Sequence, residues 1–517
     1  ILEMAPPEDY DPKFKRWRVE DLPILVKEWK LIERVPSQIK VIRSLLKECS
    51  ECVHAGDPDR EGQLLIDEIL HYLGWRGKTL RMLPHATDPD SIRKAWSRLE
   101  PNEKYRPLYH AALCRQRADW LVGMTASRAA TLLLTQSSQL VSVGRVMTPT
   151  LALVVRRDRE IEAFKSKVFW RVVAVCKTLD GKVLELLHDP QPHLFDHASA
   201  QLIADSIRGK NFNARVVREK KCEKVPLPWH LGDFQRAMQK MLSLTLQESL
   251  QVLQSLYEKQ LASYPRTDCR YLPQEHQDDA IPILDRVLDA ALVPLEAQQV
   301  RLLRGSWEPK SYIYDNNKVA EHHGIVPTRK VPADGELSHH ELTAWRAIVR
   351  HFARTLLPHH EFEETTVAIT HGDAVFSLKG KRSLNWERSW RVLDERKDIV
   401  LPDVEDGQQV KVVDVRLEQG KTTPPQRYTE ATLSADMEAI AKYVTDERIK
   451  AKLRETSGIG TAATRPAIIE KLKQKGMLSL RRRGKVAELI STPFGREVID
   501  AMPSILTDPS LTAAWEE

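Results

Sequence analysis

The spacing of apolar residues changes several times along the chain, and each change predicts a different kind of element. Residues 51–55 (ECVHA) form a short apolar run that is typical of the end of a strand. The polar string GDPDREG follows, and then comes a helical pattern whose apolar face carries Leu64, Leu65, Ile69 and Leu70. This order predicts an α/β region within the first hundred residues. Residues 106–165 continue as helices, interrupted by a loop with the sequence SVGRVMTPT.

Two later segments change to the two-residue period of strands. Residues 168–187 hold two β-rich runs joined by Asp180-Gly181, a dipeptide that favours a hairpin turn. Residues 364–417 show the same alternation, with a His-Gly-Asp turn between their first two runs. A mostly helical insert, about 229–361, separates these segments, and helices return from residue 429. The alternation indicates that the chain enters two of its domains twice.

Two local motifs predict the ends of helices. Thr245 and Glu248 form a capping box, and the helix that they open ends just before SYPRTDCRYLP, so we expect Tyr264 on a loop anchored by a packed helix. Near the C-terminus, TRPAIIEKLKQKG predicts a helix with Thr464 as N-cap and Pro466 in its first turn. A basic β-like stretch follows, which is either the hairpin of a winged-helix unit or a solvated turn; its arginines are Arg481, Arg482 and Arg483.

Composition limits the possibilities further. A chain of 517 residues and 59.2 kDa is too long for one core, so roughly three to four domains are expected. The net charge of +6 is small, so a nucleic acid would have to be held by local clusters of cations. Six cysteines are too few for a disulfide scaffold, and the CxxC at Cys49 and Cys52 lacks the further ligands of a zinc site. No run of about 18 apolar residues predicts a membrane span.

The string GDPDREGQ (56–63) places two carboxylates where they can share a cation. Asp57 and Asp59 are two residues apart on a loop that leaves a strand, and hard oxygen ligands of this kind suit Mg²⁺. The alternative is that these acids only cap the next helix, whose positive N-terminal dipole favours negative charge. The full string between strand and helix favours the metal site.

The string SYPRTDCRYLP (263–273) contains a candidate nucleophile. The phenol of Tyr264 has an ordinary pKa of about 10 and needs a nearby cation or base to react. Arg266 can supply fixed positive charge to the phenolate and to phosphorus oxygens. Without the acidic loop, a surface turn would be the better interpretation.

Six strings, in this order along the chain, resemble the motifs of the type IA DNA topoisomerases. They are HAGDPDREGQ (54–63), RQRADWLVG (115–123), SVGRVMTPTLALVVRRDREIEAF (142–164), YPRTDCRYLP (264–273), EHHGIVPT (321–328) and GIGTAATRPAIIEKL (458–472). Three positions depart from the family pattern, because Met147 replaces glutamine, Cys269 replaces serine and Gly324 replaces alanine. The first of the six strings resembles the toprim fold. Together with PPQRYTEATL, the chain is most similar to the bacterial topoisomerase III subfamily.

The resemblance implies a multidomain fold that combines α/β, all-α and all-β parts in a toroid. We expect a toprim domain, winged-helix-like helical domains and a β-rich arch. The expected boundaries are 1–105 for the toprim domain, 106–165 and 425–517 for the helical DNA-binding domain, 166–228 and 362–424 for the arch, and 229–361 for the helical domain that carries Tyr264.

The resemblance also implies roles for individual residues. Tyr264 is the expected nucleophile, and Arg266 and His322 stabilise the phosphoryl transition state. Asp57 and Asp59 hold Mg²⁺ for rejoining. Beside them in the toprim motif are Arg60 and Glu61. The implied DNA-contacting residues are Arg115, Arg117, Asp119, Ser142, Gly144, Arg145, Met147, Thr148, Thr461 and Arg465.

The implied reaction is ATP-independent cleavage and rejoining of single-stranded DNA through a 5′-phosphotyrosine bond. Strand passage would relax negative supercoils and decatenate duplexes that have single-stranded regions. Beyond Mg²⁺, we expect no nucleotide cofactor, no zinc and no membrane partner. The expected protein is a monomer in the bacterial cytoplasm, associated with the nucleoid.

One feature of the family has no match. Its first strand carries a glutamate and a lysine in a sequence like AEKPS, whereas Ile1-Leu2-Glu3 resembles the segment that follows it. The toprim domain therefore lacks its first strand here, and we expect the natural chain to continue upstream of Ile1. Two alternatives stay open. The first is a catalytically impaired, single-stranded-DNA-binding relic of the fold. The second, a toprim nuclease or primase, would leave 263–273 and 321–328 unexplained.

Overall fold

A computed structural model describes residues 2–83, 89–134, 140–319, 322–456, 458–484 and 486–516. Helical and β-rich segments alternate in the order that the apolar spacing predicts. The first hundred residues contain β1 (Leu2–Met4), α1 (Pro7–Tyr10), β2 (Leu31–Glu33), α2 (Pro36–Glu48), β3 (Glu51–His54), α3 (Arg60–Tyr72), β4 (Lys78–Arg81), α4 (Pro89–Trp96) and β5 (Glu100–Pro101).

This α/β region confirms the predicted succession of strand, loop and helix. Strands β3 and β4 pair in parallel, and β5 adds to β4 in the antiparallel direction. Strands β1 and β2 form a separate antiparallel pair. Helix α3 begins directly after the acidic loop, because the carboxylate of Asp59 accepts a hydrogen bond of 2.5 Å from the Gly62 N–H.

Two long helices follow, α5 (Arg106–Leu134) and α6 (Met147–Ala163). The prediction that SVGRVMTPT (142–150) is a loop holds only for its first five residues, because α6 already begins at Met147. The N–H of Thr148 donates to the Gly144 carbonyl at 3.0 Å, which starts the helical pattern. Pro149 lies in the first turn, where a missing N–H costs no hydrogen bond.

The β-rich segments combine into one seven-stranded antiparallel sheet of order β8-β12-β6-β7-β11-β10-β9. The predicted hairpin at Asp180-Gly181 is confirmed, and Gly181 takes the positive φ of +87° that such a turn requires. Helix α7 (His197–Ile207) buries Ala200, Ala204 and Ile207 against one face of the sheet. The strands are β6 (Val168–Thr178), β7 (Val183–His188), β8 (Asn211–Asn213), β9 (Arg215–Glu223), β10 (His360–His371), β11 (Ala374–Ser383) and β12 (Gln409–Lys421).

A helical segment lies between the two halves of this sheet in the sequence and has its own core. The predicted capping box of Thr245 and Glu248 is confirmed, and Ser338 with Glu341 forms a second one. Trp345 and Phe234 are among the side chains buried in the core. The helices are α8 (Leu231–Leu242), α9 (Leu246–Glu258), α10 (Ala280–Ala291), α11 (Pro294–Leu302) and α12 (His339–Leu356).

The C-terminal segment packs around the same core as α5 and α6, in which Val154 and Val155 contact residues such as Leu433 and Leu472. The chain therefore returns to its earlier helices, although the exact domain boundaries stay predictions. The elements are α13 (Glu430–Glu438), α14 (Glu447–Glu455), α15 (Arg465–Gln474), β13 (Leu478–Arg483), β14 (Val486–Ser491), α16 (Pro493–Ala501), α17 (Ser504–Thr507) and α18 (Ser510–Glu516).

Helix α15 and the hairpin after it confirm the outline of a helix followed by a basic hairpin, with Arg481, Arg482 and Arg483 on strand β13. Thr464 occupies the N-cap position of α15 and Pro466 lies in the first turn, as predicted, but the Thr464 side chain does not cap the helix. Its side chain makes no hydrogen bond to the first turn of the helix. Instead, its hydroxyl accepts a hydrogen bond of 2.9 Å from the Thr461 N–H, because the preceding turn folds back on itself.

Within the described residues, no helix is long and apolar enough to cross a membrane.

A buried histidine makes the stability of the core sensitive to acid. His351 stacks on Trp229 with ring centroids 4.3 Å apart, and its Nε2 lies 2.8 Å from the Leu227 carbonyl oxygen. Burial lowers the pKa of His351 to about 4. The pKa of this histidine in the unfolded chain is about 6.5. Between the two pKa values the unfolded chain binds a proton that the folded chain does not bind, so the free energy of unfolding decreases as the pH is lowered.

We therefore expect the folded protein to lose about 2 kcal/mol from this residue between pH 7.5 and pH 5. The variant His351→Gln keeps a donor toward Leu227 but does not titrate, so its loss over the same range should be smaller. Urea unfolding of both proteins at the two pH values measures the difference. Equal acid sensitivity in the two proteins would contradict the prediction.

Candidate active site

Tyr264 lies on a short extended segment just after helix α9. The N–H of Ser263 donates to the Val326 carbonyl at 2.9 Å, and the N–H of Val326 donates to the Ser263 hydroxyl at 3.0 Å. The N–H of Gly324 donates to the Tyr271 carbonyl at 2.9 Å. These bonds join the string YPRTDCRYLP to the string EHHGIVPT, although the two are far apart in the sequence.

The join brings the predicted nucleophile and the predicted histidine into contact. The rings of Tyr264 and His322 are stacked, with centroids 4.1 Å apart and planes inclined by 30°. His322 is only 8% exposed. The hydroxyl of Thr267 donates to the His322 carbonyl oxygen at 3.3 Å, which is a further bond between the histidine and the string YPRTDCRYLP.

Charged groups around Tyr264 change its acidity in opposite directions. Burial, reinforced by the negative charges of Asp57 and Asp59, raises the pKa of Tyr264 to about 12. The positive charge of Arg266 acts in the opposite direction and favours the phenolate. The phenol is therefore protonated at neutral pH, and the acidic loop is near enough to act on it.

The two acidic residues of that loop differ in what they contact. Asp57 is exposed, whereas the Asp59 carboxylate caps helix α3. Asp59 therefore caps the helix, as the alternative to a metal site predicted, but its charge also acts on Tyr264, so the cap does not exclude the metal site. Within the described residues, no group of three or more His, Cys, Asp or Glu side chains is arranged for a metal ion. A cation here would be held by the two carboxylates together with oxygens that come from outside the protein.

Arg81, a residue that the sequence did not single out, binds the backbone of the acidic loop (residues 56–59). Its guanidinium is 1% exposed and donates to the carbonyl oxygens of His54 at 3.2 Å, Gly56 at 2.7 Å and Asp57 at 2.5 Å. Its Nε also donates to the Gln63 side chain at 2.9 Å. A buried arginine satisfied mainly by carbonyl oxygens fixes the backbone on which the two carboxylates stand. The signal in the sequence was an arginine inside the apolar run TLRML.

Glu61, at the start of helix α3, connects the α/β region to helix α5. Glu61 Oε1 lies 2.6 Å from Arg115 Nη1 and 3.5 Å from Arg60 Nε. Arg117, on the same helix, places its guanidinium 5.3 Å from the ring centre of Trp29. Arg115 is therefore joined to the first turn of helix α3 through Glu61, and both arginines contact protein groups. The predicted contact of Arg115 and Arg117 with DNA stays a prediction.

The predicted DNA contacts around the GRV string lie on the loop before α6 and on the first turn of that helix. Arg145 is 8% exposed and makes a two-point contact with the Asp119 carboxylate, at 2.9 and 3.3 Å. Gly144 has open space where a Cβ would stand, and its N–H donates to the Thr148 hydroxyl. Ser142 and Met147 are half-buried. The contact of these residues with DNA stays a prediction.

The string YPRTDCRYLP also contacts the C-terminal segment. The Asp268 carboxylate accepts a hydrogen bond of 3.3 Å from the Ala462 N–H and lies 3.8 Å from Arg465 Nη1. Arg465 is 1% exposed, whereas Thr461 on the same turn is exposed. Thr461 is thus accessible in this conformation, and Arg465 holds two parts of the protein together.

A second contact crosses the same boundary. His230 Nε2 and Glu438 Oε1 are 3.0 Å apart, and Arg270 lies 3.9 Å from the same glutamate. These groups would have to separate whenever the segment that carries Tyr264 moves away from the C-terminal helices.

Comparison with known proteins agrees with this geometry. A family model described as DNA topoisomerase matches residues 103–517. DNA topoisomerase 3 of Haemophilus influenzae is 36% identical, over 100% of this chain and 83% of its own length, and that of Vibrio cholerae is 35% identical with the same coverage.

The fold has a match among solved structures as well. Full-length topoisomerase I from Thermotoga maritima superposes with a TM-score of 0.72 at 21% identity, covering 100% of this chain and 80% of the other. The architecture is therefore the multidomain toroid of that protein. Neither a non-catalytic relic nor a nuclease or primase is favoured by these matches. The chain belongs to the type IA DNA topoisomerases, close to topoisomerase III, and is an ATP-independent isomerase that cleaves and rejoins single-stranded DNA to relax or decatenate duplexes.

Proposed function

We propose that Tyr264 cleaves the DNA strand by direct attack of its phenolic oxygen on a phosphodiester. A bond forms between the phenolic oxygen and phosphorus, the bond from phosphorus to the 3′-oxygen breaks, and the phenolic proton passes to that oxygen. The products are a 5′-phosphotyrosine and a free 3′-hydroxyl, and attack by this hydroxyl restores the original strand. One ester replaces another, so no ATP is consumed. The stacking of Tyr264 on His322, beside the two aspartates, is the observation that carries the proposal.

The neighbours of Tyr264 supply the charge that this reaction requires. Arg266 is exposed and favours the phenolate, so it is available to the phosphate oxygens and to the attacking oxygen. The ring of His322 lies against Tyr264, so it would contact the phosphate that Tyr264 attacks. Together they stabilise the negative charge that accumulates on the transferring phosphoryl group.

Asp57 and Asp59 would hold Mg²⁺. Their negative charges act on Tyr264 and raise its pKa together with burial, so both carboxylates lie close to the attacking oxygen. Magnesium commonly binds one or two carboxylates, several waters and substrate phosphates, and this donor set fits the pair. When bound, the ion supplies positive charge to phosphate oxygens during rejoining. Arg81 keeps the loop in place for this purpose.

The single strand passes over the loop around Gly144 and past Thr461, where the surface is open. Contacts there are mainly with the DNA backbone, so binding weakens as salt rises. Strand passage then requires the contacts of Asp268 and His230 with the C-terminal helices to part. Since one chain contains the nucleophile, the acidic loop and the strand contacts, the enzyme acts as a monomer, with the bacterial nucleoid in the cytoplasm as its place of action.

The polarity of the covalent bond tests the proposal. A single-stranded oligonucleotide is labelled at either its 3′ or its 5′ end, incubated with the protein and denatured. We expect the 3′ label to migrate with the protein and the 5′ label to be released on a shorter fragment. Attachment of the 5′ label, or cleavage with no protein-bound label, would contradict the mechanism.

A further inference from the structure

A second tyrosine contacts the ring of the nucleophile. Tyr257 lies in the last turn of helix α9, and its ring centroid is 5.5 Å from that of Tyr264, with the two planes at 87°. The ring of His322 is stacked on Tyr264 at the same time. One neighbour is parallel to the nucleophile and the other is perpendicular to it, so rotation of the phenol about either side-chain bond would disturb one of the two contacts.

The position of Tyr257 is itself held firmly. On the same helix, Leu253 and Leu256 are fully buried in the core. Two residues before and two residues after Tyr257 in the sequence, the Ser255 hydroxyl and the Lys259 ammonium both donate to Glu341 Oε1, at 2.5 and 2.6 Å. Glu341 belongs to the capping box of helix α12. The end of α9 is therefore fixed to a neighbouring helix on both sides of Tyr257.

The backbone between the two tyrosines is equally constrained. Gln260 adopts a left-handed conformation with φ of +60°. Its N–H donates to the Tyr257 carbonyl, and the N–H of Leu261 donates to the Leu256 carbonyl, both at 2.8 Å. This turn ends the helix and leads directly into the extended segment that carries Tyr264. The distance between the two rings is therefore set by local backbone structure.

We propose that Tyr257 is a positioning residue for the cleavage reaction, whose ring holds the phenol of Tyr264 in the orientation needed for in-line attack. This inference rests on the proposed role of Tyr264 as nucleophile. A phenol that swings freely moves its oxygen by more than an ångström, and displacements of that size typically cost on the order of 10²-fold in rate. The role belongs to the ring of Tyr257 and does not require its hydroxyl.

Two substitutions separate the ring from the hydroxyl. Tyr257→Leu removes the aromatic contact, and Tyr257→Phe removes only the hydroxyl. The matched control is Tyr312→Leu. Tyr312 is half-buried, packs against the core that contains Leu253 and Leu256, and lies outside the loop of Tyr264 (263–273). Each protein is assayed for the single-turnover rate of adduct formation with a 3′-labelled oligonucleotide, for the Kd of that oligonucleotide, and for its Tm.

We expect Tyr257→Leu to lower the single-turnover rate roughly 10- to 100-fold while the Kd changes by less than about 2-fold. Tyr257→Phe should restore the rate to within about 2-fold of the unmodified protein. Tyr312→Leu should lower the Tm to a similar extent without the loss of rate.

Three results would overturn the inference. They are an unchanged rate in Tyr257→Leu, an equal loss in Tyr257→Phe, or a loss of rate in Tyr312→Leu that follows its Tm in the same way. The fate of the proposed function is read separately, because adduct formation by Tyr264→Phe would contradict that proposal whatever the Tyr257 variants do.

Discussion

Replacing Tyr264 by phenylalanine is expected to abolish the covalent adduct and to lower relaxation by a factor on the order of 10⁴ or more. The substitution removes only the phenolic oxygen, so the ring keeps its stacking with His322 and its contact with Tyr257. The fold should be unaffected, because the ring keeps its packing and removal of a partly buried hydroxyl also removes the free-energy cost of burying that polar group. Plasmid relaxation and denaturing gels measure the two activities.

Binding of single-stranded DNA should survive in the same variant. The charges that attract the DNA backbone are unchanged, so the Kd is expected to stay within about 2-fold at each salt concentration. The control is Tyr271→Phe, which removes the hydroxyl of the other tyrosine in the same loop and should retain activity. An adduct that persists in Tyr264→Phe would show that another residue is the nucleophile.

The sequence located the parts of this site better than it located the contacts between them. Local signals in the sequence predict three parts of the site. They are the helix capped by Thr245 and Glu248, the loop of Tyr264 after it, and the cap at Asp59. The resemblance to a family implied that His322 and Tyr264 act on the same phosphate, but it did not predict that their rings stack. No local pattern predicts that two distant loops pair.

The contacts that were missed depend on burial in three dimensions. From the sequence, Arg81 is an ordinary strand residue, and only the fold brings four carbonyl oxygens to its guanidinium. Tyr257 looks like one more member of an apolar helix face, and only the turn at Gln260 directs it against the nucleophile. The failed cap at Thr464 has the same cause, because a turn formed with Thr461 engages the hydroxyl first. The role of each of these side chains therefore depends on contacts that the neighbouring sequence does not reveal.

Asp59 caps helix α3 and is also a proposed ligand of Mg²⁺, so a test of the proposed metal site has to keep the helix cap intact. Replacement by alanine would remove the cap of helix α3 along with the charge, at a cost of roughly 1 kcal/mol in stability. Asparagine is as good a cap as aspartate, so Asp59→Asn removes the charge and leaves the helix start intact. Asp57 is exposed, and Asp57→Asn is the equivalent change on the other carboxylate.

The double variant Asp57→Asn with Asp59→Asn is expected to lose Mg²⁺-dependent relaxation by about 10²-fold or more. Formation of the adduct should fall much less, because attack by Tyr264 is also supported by the fixed charge of Arg266. Removing two negative charges near the phenol even favours its ionisation, whereas alignment of the free 3′-hydroxyl loses the cation that the carboxylates hold. The measurement is a magnesium titration of relaxation, together with the adduct yield and the magnesium-dependent change in Tm.

The matched control is Asp334→Asn with Asp373→Asn, two exposed loop aspartates whose loss changes the net charge equally. That protein should relax plasmid normally and keep the same dependence on magnesium. If the Asp57 and Asp59 double variant relaxes plasmid at the unmodified rate throughout the titration, the two carboxylates do not hold the ion. If adduct formation falls as far as relaxation, the pair acts in cleavage as well, and the division between fixed cations for attack and magnesium for rejoining is wrong.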